Sequence, residues 1–211
     1  SIGINQKSKV HNLAELEQAI ETIFTQFNQP ALVEEFLDGT EYTIGFIGNY
    51  LLPILEIDFA KIPGQPQLRD PYVKSIENPF ISHLPWNEKA RSFASLAIKA
   101  HEALEVRDYN RMDFRERDGQ LYFLEANVIP GLHPTEADLT NMCRHAGVAH
   151  ADMVVLILSA AVKRLSEQYP ERFKKKTELL TELANKAICK ATHAGEIVYQ
   201  DRVYKLLGKL F

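Results

Sequence analysis

Two segments of the chain carry apolar residues at helical spacing and begin with a recognisable cap. The first, residues 13–27, follows Asn12 and has Glu15 at its third position, an arrangement close to a capping box. The second follows Asn87 and continues to about Leu104, with small and apolar residues along one side. Each pattern predicts an amphipathic helix that turns one face toward a core.

Short apolar runs separated by turn residues predict strands between these two helices. Residues 31–36 predict one strand, ended by Asp38-Gly39, and residues 42–47 predict a second. After a turn at Gly48-Asn49, residues 51–57 predict a third. Because short turns join the runs, the pattern indicates an antiparallel meander.

A further pair of strands is predicted between residues 107 and 131. Asp118-Gly119 is typical of a tight two-residue hairpin turn. Pairing centred on Gly119 would place Asp113 opposite Glu125. The alternation of side chains then puts four residues of the second strand on one face: Leu121, Phe123, Glu125 and Asn127.

The residues that this pairing brings together are unusual for the middle of a sheet. Arg111 would face Asn127, beside the carboxylates of Asp113 and Glu125. Like charges directly across a sheet are unfavourable, and a hard divalent cation is the usual reason for such a pair. The hairpin therefore predicts a Mg²⁺ site, with the alternative that Arg111 is an ordinary cross-strand partner of Asp113.

The segment 58–86 carries prolines throughout and predicts a long irregular loop. Loops of this length inside a compact domain are often functional or mobile. Arg69 and Lys74 form a basic pair in it, which is either part of a site or an incidental pair on a solvated loop.

The pattern becomes helical again after the hairpin. Thr135 or Asp138 is a candidate cap for a helix that ends at His145, with Gly147 just beyond its end. Residues 151–165 are almost wholly apolar, but too few to span a bilayer, so they predict a buried helix. A helix beginning near Lys174 should follow, and residues 198–211 predict either another helix or a strand and then a helix.

Composition and charge exclude some classes of protein. The 211 residues are 45% hydrophobic and 25% charged, with a net charge of −4, which is ordinary for a globular protein and gives no electrostatic footprint for nucleic acid.

Cys143 and Cys189 form no CxxC motif, which suits a reducing compartment. No membrane span and no charged-then-apolar leader is apparent, so a cytoplasmic location is expected. His145 and His150 near Cys143 match no zinc template.

Four separated motifs resemble those of the ATP-grasp ligases, and within them the D-alanine–D-alanine ligases. They are residues 33–41, 111–113 and 124–131, preceded by 1–4 together with 8–10. Any one would be weak, but their order and spacing from Ser1 to about Leu165 make the combination specific. The resemblance implies an enzyme that phosphorylates a carboxylate with ATP and lets an amine displace the phosphate.

The resemblance also implies roles for the hairpin residues. Asp113, Glu125 and Asn127 match the family's Mg²⁺ ligands, with Mn²⁺ as an alternative ion, and this metal bridges the nucleotide phosphates. Arg111 matches the arginine that stabilises the developing oxyanion and the transferred phosphoryl group. These are the electrostatic parts that phosphoryl transfer needs.

The ATP site implied by the resemblance extends to two other segments. The residues that match the adenosine site are Glu34, Glu35, Phe36, Leu37 and Glu41. Backbone groups of Phe36 and Leu37 would read the adenine edge, and Glu41 would accept hydrogen bonds from the ribose. Lys74 matches a phosphate-contacting lysine on the family's mobile loop, where Ser75 replaces the aromatic residue that usually follows. Outside this context, Glu34 and Glu35 would be a solvated pair.

Residues Gly131, Thr135 and Glu136 match the place of the family's second-substrate site. A serine usually holds the carboxylate of the second substrate there. Glu136 in that place would repel a carboxylate. The acceptor is therefore expected to differ from D-alanine, or Thr135 takes over the contact.

The sequence thus predicts an α+β fold, the C-terminal subdomain of an ATP-grasp enzyme, with an antiparallel sheet flanked by helices and a helical C-terminal extension. Residues 1–166 would form this domain without its N-terminal part, and residues 167–211 the extension. Because the family places further ATP-binding lysines upstream, the chain is expected to hold half of the ATP cleft and to be inactive alone.

The leading functional hypothesis is an ATP-dependent carboxylate–amine ligase of D-alanine–D-alanine type, acting on an amino acid or D-amino acid. One alternative is a non-catalytic fragment or paralogue that serves as a nucleotide-binding or interaction module. A related ligase with a different amino-acid substrate is another. The expected partners are ATP and small molecules, with no nucleic acid and no membrane, and the sequence is compatible with a homo-oligomer.

Overall fold

The computed structural model describes residues 4–191 and 193–207 of the chain. Two of the predictions fall partly outside these ranges. Ser1, Ile2 and Gly3 of the serine-and-glycine loop lie outside the described residues, and so do residues 208–211 of the last predicted element.

The described residues form helices and one eight-stranded sheet. The helices are Leu13–Phe27 (α1), Pro71–Ile76 (α2), Glu88–Ala103 (α3), Asp138–His145 (α4), His150–Gln168 (α5) and Pro170–Ile188 (α6). The strands are Glu41–Ile47 (β1), Tyr50–Leu51 (β2), Leu55–Ile57 (β3), Ile81–His83 (β4), Tyr109–Arg117 (β5), Gln120–Asn127 (β6), His193–Tyr199 (β7) and Arg202–Leu207 (β8). This arrangement confirms the predicted α+β class, a sheet flanked by helices.

Strand β1 is the centre of the sheet because it pairs along both edges. β5 runs antiparallel to it from Glu41, opposite Arg115, to Ile47, opposite Tyr109. The other edge is shared by β2 and β3, both antiparallel to β1. β6 lies beyond β5, β4 beyond β3, and the hairpin β7–β8 beyond β2. Since β8 runs parallel to β2, the sheet is mixed, and its other described pairings are antiparallel.

The alternation of side chains along β1 separates the core from the site. Tyr42, Ile44 and Phe46 enter a hydrophobic cluster with the apolar side of α3. Ile47, on the opposite face, joins a second cluster formed with α4, α5 and the end of α6. The buried polar residue Thr43 is on that second face too, where its hydroxyl reaches the hairpin.

The predicted strand at residues 31–36 is wrong. No strand is assigned there, and Leu32 and Val33 are 81% and 56% exposed. The apolar pattern was correct, but a strand needs a hydrogen-bonding neighbour, and none of the described residues supplies one. The predicted strand 51–57 is interrupted at Pro53, which has no backbone N–H to donate to a ladder.

The prediction of an irregular loop at residues 58–86 is wrong in part, because the segment contains α2 and β4. Asp70 is the N-cap of α2, and its carboxylate accepts a hydrogen bond from the Val73 backbone N–H at 2.8 Å. Pro71 occupies the first helical position, where its missing N–H has no consequence. The Asp-Pro pair was the sequence signal for this short helix.

The capping residue predicted for α4 is wrong. The helix begins at Asp138 itself, its N-cap is Ala137, and neither Thr135 nor Asp138 caps it. Gly147 does follow the helix end with a φ of 82°, as predicted. The predicted buried helix exists as α5, but only its Met153 and Leu156 are buried in the described structure, so it is covered along one side.

The tail also differs from its prediction. α6 begins at Pro170 rather than near Lys174. The hairpin β7–β8 follows it, so the alternative of a helix beginning at residue 198 is wrong, and a strand forms as the other alternative predicted. Tyr204 and Leu206 of β8 pack in the same cluster as Phe46. The tail therefore shares the core of the preceding residues, and the division at residue 166 stays a prediction.

Helix α1 forms as predicted, with Asn12 accepting a hydrogen bond from the Glu15 backbone N–H at 3.0 Å. None of its residues is buried, and Phe24 and Phe27 are each 52% exposed. Its apolar face is thus only partly covered by the described residues. Among the helices of those residues, none alone is long and apolar enough to cross a membrane, and α4 and α5 meet that test only as a pair bent by 105°.

Candidate functional site

The turn between β5 and β6 has the predicted form. Asp118 and Gly119 both have positive φ, 54° and 77°, as a type I′ turn requires. From the turn, Arg117 pairs with Gln120 and the ladder runs regularly to Phe114 opposite Phe123. The register then shifts, because Leu124 is an extra residue in β6.

This β-bulge places the polar residues of the site. It brings Asp113 opposite Glu125 and Arg111 opposite Asn127, which confirms the predicted pairing. It also makes one prediction wrong, because Leu121 and Phe123 lie on the other face of the hairpin from Glu125 and Asn127. Leu121 is in the hydrophobic core, and the Phe123 ring packs edge-on against Phe114. A regular two-residue hairpin would have paired Asp113 with Leu124.

Asp113 is the buried centre of the cluster. Its carboxylate accepts a hydrogen bond from Thr43 Oγ1 at 2.9 Å and one from Arg111 Nη2 at 2.7 Å. Glu125 lies further out, with its side chain 49% exposed and its Oε1 3.8 Å from Arg111 Nη2. The Asn127 side-chain oxygen accepts a hydrogen bond from the backbone N–H of Ile129 at 3.2 Å, which fixes its direction.

Two residues that were not predicted to contribute to this cluster complete it. Asp138 Oδ2 accepts a hydrogen bond from Arg111 Nη1 at 3.1 Å. Arg69, from the segment before α2, donates to both oxygens of Asp138 and is itself held by Glu77. The sequence identified Arg69 only as a basic residue of interest and Asp138 only as a candidate cap. Their contacts join segments far apart along the chain, so no local pattern predicts them.

The charges of this cluster support one another. Burial raises the pKa of Asp138, but Arg69, Arg111 and the nearby Lys74 outweigh it, so the pKa lies below its ordinary value of 3.8. Burial lowers the pKa of Arg111, and the carboxylates of Asp113 and Asp138 more than reverse that effect. Both groups are therefore charged at neutral pH.

The residues predicted for the adenosine site lie at the start of β1 and in the segment before it. Glu41 is buried, with Oε2 3.4 Å from Arg115 Nη2. Burial raises the pKa of Glu41, and the lowering by Arg69 and Arg115 does not cancel it. The backbone carbonyl of Leu37 accepts a hydrogen bond from Arg115 Nη1 at 2.7 Å.

The rest of the 33–41 motif is more open. Phe36 is half-buried, and Lys9 Nζ lies 4.0 Å from the centroid of its ring. Glu34 and Glu35 are exposed, and Glu35 pairs with Arg117 at 2.7 Å. The two acids are thus solvated in the described structure, and their role at a nucleotide stays a prediction.

The residues predicted for the second substrate lie in an exposed turn after β6. The backbone N–H groups of Thr135 and Glu136 donate to His133 Nδ1 at 3.5 and 3.3 Å. The Glu136 side chain is 80% exposed. Gly131 is exposed too, and a Cβ added there would meet nothing within 4 Å. Their part in substrate binding stays a prediction.

The donors at the bulge suit a hard cation. Asp113, Glu125 and Asn127 offer oxygen atoms only, from two facing strands, which is the chemistry that Mg²⁺ prefers. Among the described residues there is no group of three or more His, Cys, Asp or Glu side chains placed to hold a metal. Two carboxylates and one amide, each giving one oxygen, would leave half of the octahedral shell to water and phosphate oxygens, as is usual for Mg²⁺.

Comparison with known proteins places this geometry in a family. The family profile described as "D-ala D-ala ligase C-terminus" matches residues 1–159. "Uncharacterized protein y4sG" of Sinorhizobium fredii (strain NBRC 101917 / NGR234) is 32% identical over 162 residues, which are 74% of this chain and 48% of that protein.

Solved structures with the same fold include two enzymes. The D-alanine–D-alanine ligase from Bacillus anthracis complexed with ATP aligns with a TM-score of 0.61 at 20% identity, over 75% of this chain and 49% of that one. The ligase from Coxiella burnetii aligns with a TM-score of 0.55 at 17% identity, over 82% of this chain and 45% of that one. The chain spans about half the length of the relatives it matches. With its sheet and the profile match over residues 1–159, the chain belongs to the D-alanine–D-alanine ligase C-terminal family and has the fold of the C-terminal part of an ATP-grasp enzyme.

Proposed function

We propose that the chain is the C-terminal part of an ATP-dependent carboxylate–amine ligase. The observation that carries the proposal is the bulged hairpin, which sets Asp113, Glu125 and Asn127 on one face with Arg111. Three oxygen donors beside one guanidinium form a surface for a metal-bound polyphosphate. An ordinary structural ion pair between Arg111 and Asp113 would not need Glu125 and Asn127 on the same face.

In this proposal each residue of the hairpin has a defined task. Bound Mg²⁺ would neutralise the phosphate charge and orient the transferred group. Asp113, Glu125 and Asn127 would hold that ion, with Asp113 fixed by the hydroxyl of Thr43. Arg111 would direct its guanidinium to the charge that develops on the acyl oxygen and the phosphoryl group.

The nucleotide would lie along the same face of β1 and β5. Glu41 would accept hydrogen bonds from the ribose, and the backbone of Phe36 and Leu37 would meet the adenine. Lys74 would contact phosphate from α2, which is consistent with its influence on the carboxylate of Asp138. Glu34 and Glu35 would lie at the rim of this site. The proposal also includes a cytoplasmic location, where ATP is available.

The acceptor is proposed to differ from D-alanine. Glu136 is an exposed acid at the place where the family's second substrate presents a carboxylate, so the two would repel each other. An acceptor with a neutral or cationic group at that point suits Gly131, Thr135 and Glu136 better. The test is phosphate release by the full-length gene product with ATP and a panel of amino acids and amines.

Nucleotide binding can be tested on the chain itself. Titration calorimetry with Mg·ADP should show saturable, metal-dependent binding, weak because half of the cleft is present. Asp113→Asn should abolish it. Asp118→Asn is the matched control, because it makes the same change in the turn of the same hairpin, where Asn suits the positive φ. An absence of metal-dependent binding in both the chain and the full-length product would contradict the proposal.

A further inference from the structure

One group of buried charges links the hairpin to a segment outside it. We infer that Asp138 is a positioning residue for Arg111, and that Arg69 and Glu77 hold Asp138 so that the helix carrying Lys74 is fastened to the hairpin. This inference rests on the proposed ligase function for its purpose, but its structural part can be tested without any turnover.

Arg111 is held at both ends of its guanidinium. Nη2 donates to Asp113 at 2.7 Å and Nη1 donates to Asp138 at 3.1 Å. Nε is buried with no hydrogen-bond partner, so it adds no third anchor. A guanidinium bound by one carboxylate could swing about that contact. Two carboxylates from two different elements, β5 and α4, fix its plane and its direction.

Asp138 is itself fixed by a forked contact. Arg69 Nη2 donates to Oδ1 at 2.9 Å and Arg69 Nη1 donates to Oδ2 at 3.1 Å, and Oδ2 is the atom that Arg111 also reaches. A bidentate arginine sets the plane of the carboxylate. Because the side chains of Arg69, Arg111 and Asp138 are all about one-tenth exposed or less, water competes little for these bonds.

The same arginine ties down both ends of α2. Arg69 precedes the N-cap Asp70, and Glu77 is the C-cap. Arg69 Nε donates to the two Glu77 oxygens at 2.8 and 2.9 Å, and Glu77 is only 3% exposed. Lys74 lies on the helix between these two anchored residues. The position of α2 and the direction of the Arg111 guanidinium are therefore coupled through the carboxylate of Asp138.

Neutralising Asp138 would leave Arg69 and Arg111 close together without their shared counter-ion. Each would keep one strong partner, Glu77 for Arg69 and Asp113 for Arg111. The fold would keep most of its contacts, but Arg111 would lose the second contact that sets its direction. A purely structural ion pair would affect stability and leave kcat of the full-length product as it was.

The test follows arginine guanidinium signals by ¹⁵N NMR on the nucleotide-free chain. Rotation of Arg111 about its Nε–Cζ bond should be slow in the unchanged chain and at least tenfold faster in Asp138→Asn. The matched control is Asp108→Asn, which removes a bidentate partner of Arg164 away from the site and should leave Arg111 slow. If Asp138→Asn does not fold, Glu77→Gln is the second variant, expected to speed the rotation of Arg69 and Arg111.

The link to the reaction is tested on the full-length product by separating kcat from KM. Asp138→Asn should lower kcat about tenfold to a hundredfold and change KM for ATP less than threefold, and Asp108→Asn should change neither. Unchanged rotation of Arg111 in folded Asp138→Asn would overturn the inference and leave the ligase proposal intact. No turnover in the unchanged full-length product would overturn the ligase proposal, and the NMR result would still decide whether Asp138 positions Arg111.

Discussion

Residues of the hairpin differ in how much their side chains contribute to the stability of the fold. Asp113 is buried and bonded to Thr43 and Arg111, whereas Glu125 is half exposed with a single long contact to Arg111. A buried acceptor that is removed leaves its donors unsatisfied, and a half-exposed one is replaced by water. The two proposed metal ligands can therefore be told apart by stability even though they share one proposed role.

We predict that Asp113→Ala and Glu125→Ala both lower kcat of the full-length product, on the order of 10²-fold or more, because each removes a proposed ligand of the metal. Asp113→Ala should also reduce the free energy of unfolding by about 1–3 kcal/mol. Glu125→Ala should change it by no more than about 0.5 kcal/mol. Steady-state kinetics and urea denaturation measure the two effects. Near-normal turnover in both variants would rule out the metal assignment.

At the same scale, the pairing of the site residues could be predicted but their full surroundings could not. Pairing centred on Gly119 placed Asp113 opposite Glu125, and the structure reaches this pairing through the β-bulge at Leu124, since a regular two-residue turn would pair Asp113 with Leu124. The prediction that Phe123 lies on the same face as Glu125 was wrong, because a β-bulge leaves no clear mark in the sequence. Asp138 was missed as a partner of Arg111 because it is brought there by packing of α4, not by any local pattern.

At the scale of the elements, the close approach of α4 to β1 places Asp138 beside the hairpin. This close approach depends on Gly45. This glycine pairs with Arg111 across the β1–β5 ladder. A Cβ added to it would lie 2.7 Å from Met142 Sδ and 2.9 Å from a methyl carbon of Leu139, both on α4. The helix can therefore sit close to the strand only where no side chain intervenes.

We predict that Gly45→Ala lowers the free energy of unfolding by about 1–3 kcal/mol, because α4 must move outward or Met142 and Leu139 must leave their rotamers. Urea denaturation measures the change. Gly131→Ala is the control, since its added Cβ would meet nothing within 4 Å and its φ is not positive. Equal stabilities for the two variants would show that α4 has room to spare.

Elements with a strong local signal were the ones that sequence predicted well. α1 and α3 have asparagine caps and helical apolar spacing, and both begin at the predicted residue. The segment 31–36 has an equally apolar pattern but no described neighbour to pair with, so it forms no strand. Local pattern thus specified what a segment could become, and the presence of a partner decided whether it did.

At the scale of the whole molecule, the tail after α5 contributes strands to the sheet and side chains to its core. Tyr204, Leu206 and Leu207 are each 1% exposed or less, and the Leu207 carbonyl accepts a hydrogen bond from Trp86 Nε1 at 3.2 Å. The family profile ends at residue 159, so these contacts come from a part of the chain that the profile does not describe. Sequence reasoning could not foresee them, because a strand that pairs with a distant one has no local signature of its partner.

We predict that a chain truncated before His193 loses its cooperative unfolding transition or melts far below the intact chain. Burial of each large apolar side chain contributes roughly 1.5–3 kcal/mol, and three such losses approach the whole stability of a typical domain. Thermal unfolding followed by circular dichroism measures this. Val198→Ala, at a residue 68% exposed on β7, should melt within a few degrees of the intact chain. A truncated chain as stable as the intact one would make the tail an independent unit.

The parallel pairing of β2 with β8 sets an order of events when the chain is made. The ribosome releases Tyr50 long before Lys205, its partner across the ladder. The hairpin β5–β6 and its pairing with β1 involve nearer segments and can form while synthesis continues. The edge of β2 must wait for the last part of the chain, and until then it presents an unpaired strand edge with Leu51 uncovered. Translation arrested before β8 emerges should therefore leave a nascent chain that binds chaperones, although its proposed catalytic hairpin is already complete.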